Sequence, residues 1–142
     1  MKQKGFKISV MAALALAFVF AAAHAQVSDA PIVIKANIPF SFMVQNMMFP
    51  AGTYNIEKVD TNTLAIYNDK MGVRLTFFAD PLLADAAAPY GELVFNEYQG
   101  KDFLSKIWVQ GLEYGYYIPL SDQERHMMKM GSPKTKTVKY TS

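Results

Sequence analysis

Ser121, Asp122 and His126 lie close together in the stretch SDQERH, and a serine, a histidine and an aspartate are the parts of a nucleophilic hydrolase. The spacing argues against that use. Ser121 and Glu124 form a capping box, so the hydroxyl is expected to accept from backbone N–H groups at a helix start. Asp122 and His126 are four apart on that helix and read as a surface ion pair. A second set is Glu92, Glu97 and Asp102, carboxylates around one predicted hairpin. Paired carboxylates cleave glycosidic bonds when they flank an open site. Here Lys101 and Lys106 are expected opposite Glu97 and Glu92, as solvated cross-strand pairs.

The third set is aromatic. LVFNEYQGKDFLSKIWV, residues 93–109, holds the chain's one tryptophan. A three-residue loop, Tyr98-Gln99-Gly100, would pair Glu97 with Lys101 and Phe95 with Phe103, and would set Gly100 at the left-handed position of a bulged turn. A two-residue turn at Gln99-Gly100 mixes apolar and polar faces, so the longer loop is preferred. Leu93, Phe95, Phe103, Ile107 and Val109 then face the core. Tyr98 sits at the turn tip, and Leu104 and Trp108 lie on the mixed face. Trp108 is either a packing residue under the C-terminal segment or a platform for a sugar or aromatic ligand, and packing is the commoner role. Trp108, Leu104 and Tyr98 are therefore the candidate contacts for a ligand or partner.

The elements that would position these residues read as strands. Ile32, Ile34, Ala36, Ile38, Phe40, Phe42 and Val44 alternate with a more polar set, a period of two. Pro39 lacks an N–H and predicts a bend there. Further strands are expected over 53–59, around Leu64 and Ile66, over 73–79 and over 113–120. Turns fall at Gln45-Asn46, Phe49–Gly52, Asp60–Asn62 and Asp69–Gly72. Asp80 and Pro81 suit a helix start, predicting a short helix to about Ala87. A C-terminal helix runs from Ser121 to about Met130, ended by Gly131, with Met127, Met128 and Met130 as its apolar stripe. The expected fold is all-β: one antiparallel domain, barrel-like or sandwich, with a short C-terminal helix. Sequential connections favour the barrel.

The N-terminus carries Lys2, Lys4 and Lys7, then an uncharged run from Ile8 to Ala23, then Ala23-His24-Ala25. This is the pattern of a secretory signal peptide over 1–25. The β-domain then spans 26–131, and 132–142 reads as a mobile tail. Cleavage removes three of the 14 basic residues and none of the 12 acidic ones, turning a net charge of +2 into −1. The basic balance thus belongs to the leader, and nucleic acid is not an expected partner. No stable membrane span is expected after cleavage.

There is no cysteine, which excludes disulfides, thiol chemistry and lipoprotein acylation. His126 is the sole histidine after residue 25, which leaves no His-rich metal site. No phosphate loop, nucleophile elbow, zinc signature or dinucleotide fingerprint occurs, and no cofactor is expected.

IPFSF at Ile38–Phe42, PAGTY at Pro50–Tyr54 and F-x-x-Y-x-G-x-x-F-L-x-x-I-W from Phe95 to Trp108 resemble a family of small secreted bacterial proteins with no assigned activity. The resemblance implies export and a β-fold. The expected function is a non-enzymatic exported β-domain, periplasmic or extracellular, binding a protein or glycan or serving a structural role in the envelope. The alternative is a carrier holding a small apolar ligand inside a barrel.

Overall fold

The computed structural model describes residues 32–141, so the expected signal peptide and its cleavage site lie outside the described residues. The alternating N-terminal run becomes two strands in different sheets, β1 (Val33–Ile38) and β2 (Phe42–Val44). The break falls at Pro39, as the missing N–H predicts. A two-residue turn at Gln45-Asn46, with Gln45 at φ 56°, leads into β3 (Met47–Phe49). β4 (Gly52–Asp60), β5 (Thr63–Asn68) and β6 (Val73–Phe78) follow as a meander. With β1 they make a four-stranded antiparallel sheet in the order β1-β4-β5-β6.

Ala79 then carries the chain across to the second sheet. Asp80–Leu83 is strand β7, not the start of a helix. Asp80 and Pro81 satisfy the rules for a helix start, but β7 finds ladder partners instead: Asp80 to Leu83 pair with β10 (Tyr114–Tyr117). Between them run β8 (Gly91–Tyr98) and β9 (Lys101–Trp108). Helix α1 (Asp122–Lys129) comes next, and the chain ends in β11 (Lys134–Tyr140). The second sheet runs β11-β8-β9-β10-β7, and β2 adds its hairpin partner β3 alongside β9 at Met43–Phe103.

Two corrections follow from this topology. The segment expected to be a mobile tail is a full strand, paired with β8 from Lys134–Glu97 to Tyr140–Gly91. Its alternation of Lys and Thr hides a strand pattern, because only one of its faces needs apolar cover. The domain is also not a closed barrel. Each sheet keeps two free edges, and the two sheets pack face to face as a sandwich.

The core lies between the sheets. Ile34, Ala36, Ile38, Tyr54, Ile56, Leu64, Ile66 and Phe77 oppose Phe42, Phe49, Leu93, Phe95, Leu104 and Ile107. Its centre is aromatic: Phe42 stacks on Phe49 at 5.4 Å and meets Tyr54 and Phe95 edge-on at 5.3 and 5.7 Å. Such pairs contribute roughly 0.5–1.5 kcal/mol each beyond the area they bury. Helix α1 packs on the outer face of the larger sheet, where Met127 closes a second small cluster with Met43, Tyr98 and Phe103. Met128 and Met130 remain exposed, so one methionine anchors the helix and not three.

Candidate functional site

The β8–β9 hairpin uses the shorter turn. Gln99 and Gly100 both take positive φ, 49° and 82°, and Tyr98 pairs directly with Lys101. That is the two-residue hairpin turn normally built on Asn-Gly, with Gln99 tolerating the left-handed region. The pairs are Glu97–Asp102, Asn96–Phe103 and Phe95–Leu104, not Glu97–Lys101 and Phe95–Phe103. A bulge resolves the mixing of faces. The next pair is Val94–Lys106, so Ser105 is the extra residue. Leu104 and Ile107, of opposite parity, thereby both reach the core.

The three candidate contact residues consequently separate. Leu104 is 2% exposed in the main core. Tyr98 is not at a turn tip in solvent: it is 3% exposed beneath α1, edge-on to Phe103 at 5.8 Å. Trp108 stays half-buried on the outer face at the far end of β9. Its indole lies over Gly115, where an added Cβ would sit 2.6 Å from the ring. Its carbonyl accepts a 2.6 Å hydrogen bond from the Tyr140 hydroxyl.

The chemical sets also disperse. Ser121 Oγ accepts from the Glu124 backbone N–H at 3.1 Å, the expected capping bond. Asp122 pairs with Arg125 at 2.6 Å and not with His126, since three residues on the helix suit this longer side chain. Asp102 is 5% exposed and takes its counter-charge from Lys136 of β11 at 3.2 Å, a partner no hairpin register foresees. Among the described residues no three His, Asp or Glu side chains cluster as metal ligands. No described helix is long and apolar enough to cross a membrane.

Glu124, the second half of the capping box, turns its side chain inward. It is 3% exposed, with one carboxylate oxygen lacking a hydrogen-bond partner. Burial pushes its carboxyl up to about 7, and the Asn96 side chain partly offsets this. The Tyr98 hydroxyl is likewise buried without a partner, and burial, Glu124 and Tyr117 raise its pKa. Two of the buried side-chain atoms without a hydrogen-bond partner, on Glu124 and Tyr98, thus lie together under this eight-residue helix.

An open groove of about 430 Å³ lies on one flank, where the free edges β1 and β11 run side by side. Lys35, Asn37, Tyr90, Lys139, Tyr140 and Thr141 line it. The Lys139 ammonium stands 4.1 Å over the Tyr90 ring. No carboxylate lines it, so the groove is positive, with one aromatic wall. Strand pairing across such distant segments carries no local signal, which is why Tyr90 and Lys139 escape sequence reasoning. Neither protein-family models nor curated proteins nor solved structures match this chain.

Proposed function

We propose that the protein is an exported, non-enzymatic β-sandwich that serves as a binding module of the bacterial envelope. The observation that carries this reading is the groove between β1 and β11, which joins two lysines, an amide and two tyrosine rings. That combination suits a hydroxyl-rich or anionic partner, a glycan above all. Export rests on the basic, apolar and small-residue succession of residues 1–25.

Two further facts support the reading. Three of the side chains with nucleophilic or acid–base chemistry are engaged structurally: Ser121 caps, Asp122 holds Arg125, and Asp102 holds Lys136. The space between the sheets is occupied by the rings of Phe42, Phe49, Tyr54 and Phe95, which favours surface recognition over a ligand carried inside.

Trp108 offers a built-in reporter, because Tyr140 both lines the groove and bonds the Trp108 carbonyl. Titrating the protein with peptidoglycan fragments and envelope polysaccharides, followed by amide NMR and Trp108 fluorescence, should move the signals of Lys35, Tyr90 and Lys139. The double variant Lys35→Glu/Lys139→Glu should abolish the response. No response across the panel, or one mapping to other residues, would overturn the assignment.

A further inference from the structure

The two flanks of the sandwich are built differently. On the β1–β11 flank, Lys35, Lys134 and Lys139 are exposed, the usual protection of a free edge against another strand. The opposite flank carries β6 and β7, the free edges of the two sheets. β7 is blocked by Pro81, which cannot donate to a ladder. β6 reads VRLTFF and holds no Pro, Gly or Lys. It exposes Phe78 at 71%, and Leu83 of β7 is 85% exposed nearby in sequence. Such an edge is a template for pairing unless something covers it.

The backbone register gives the orientation of its unpaired groups. Ala79 N–H donates to Asn62 C=O, and β6 continues as Phe77–Leu64, Leu75–Ile66 and Val73–Asn68. In an antiparallel ladder the bonded positions alternate, so these odd-numbered residues turn their N–H and C=O toward β5. Arg74, Thr76 and Phe78 therefore direct theirs outward, to the free edge.

We infer that β6 pairs with β6 of a second copy of this chain, antiparallel about a two-fold axis at Thr76, joining two four-stranded sheets into one continuous sheet. In this register Arg74 of each copy meets Phe78 of the other, Thr76 meets Thr76, and Leu75 meets Phe77 on the inner face. Every outward N–H and C=O of Arg74, Thr76 and Phe78 is then satisfied. The guanidinium of Arg74 is already held in place by Glu57 at 3.0 Å and by the Tyr67 ring at 4.8 Å. It meets an exposed phenyl ring as a cation meets a π-face. A shallow recess of about 90 Å³, lined by Thr63, Thr76, Phe77 and Phe78, opens beside the axis. The contact is isologous and closes on itself, giving a dimer and not a fibre. It leaves the groove on the other flank free, and it stands whether or not that groove binds a glycan.

The test uses the position that meets itself. The full chain, expressed in an exporting bacterial host and purified as that host releases it, is measured by sedimentation velocity from about 1 μM to about 1 mM, the range expected for a modest interface. The wild type should reach twice the monomer mass. Thr76→Lys and Thr76→Asp, each exposed substitutions that place like charges across the axis, should stay monomeric with unchanged circular dichroism. An equimolar mixture of the two variants should regain the dimer. A wild type that stays monomeric to the highest concentration overturns the proposal. So does a dimer that persists in both variants, which would lie elsewhere, or a mixture that stays monomeric.

Discussion

Glu124 should make this domain less stable at neutral pH than at mildly acidic pH. Its carboxyl is pushed from the ordinary 4.5 up to about 7 by burial beneath α1, against Tyr98 and Asn96. The native state thus holds this proton more tightly than the unfolded chain. The group's contribution is fully present below pH 4.5 and is lost as the pH rises through about 7. At 1.36 kcal/mol per pH unit the loss is about 3 kcal/mol, a large share of the ~5–15 kcal/mol that holds a domain folded. Glu124→Gln keeps the shape and removes the titration, and the cap survives because Ser121 accepts from the backbone N–H and not the side chain. Urea unfolding followed by Trp108 fluorescence at a series of pH values should therefore show two different profiles. The wild type should lose about 3 kcal/mol between pH 5 and pH 8, while the Gln variant should stay nearly flat over that window. At pH 8 the variant should melt on the order of 10 °C above the wild type. Parallel profiles for the two proteins would refute the buried, proton-holding carboxyl.

Other perturbations test the rest of the architecture. Deleting residues 132–142 removes β11, the Lys136–Asp102 pair and the Tyr140–Trp108 bond, and should abolish the cooperative thermal transition, whereas a mobile tail could be removed without effect. Lys136→Ala should lower stability by about 3 kcal/mol by leaving Asp102 buried and unpaired, and adding Asp102→Asn should restore most of the loss in denaturant melts. Gly115→Ala forces a methyl group against the Ile107 carbonyl and the Trp108 ring, so the variant should lose about 1–3 kcal/mol and shift its tryptophan emission to the red. Phe42→Ala, at the centre of the aromatic cluster, should cost about 3–5 kcal/mol in the same melts.

Several features were legible from local pattern because local forces set them. The alternation from Ile32 to Val44 names the buried residues of β1 and, in β2, Phe42 and Val44, since a strand has only two faces; it misses Met43, which the α1 cluster buries from the other side. Pro39 marks their break for want of a donor. Ser121 and Glu124 announce the start of α1, because capping is decided within one turn. The all-β class follows from the same period of two. The tertiary structure decided what depends on distant partners. Asp80 and Pro81 became a strand once β10 offered a ladder. The Lys-Thr tail became β11 because β8 had an edge to fill. The register of β8 and β9 turned on a bulge at Ser105, where β9 changes neighbours from β2 to β10, and no short-range rule locates such a switch. That bulge sends Leu104 inward and leaves Phe103 and Tyr98 to α1. The groove at Lys35 and Lys139 and the bare edge at Phe78 likewise exist only after both sheets are assembled. Composition lists their residues, but an edge is defined by the strand that is not beside it.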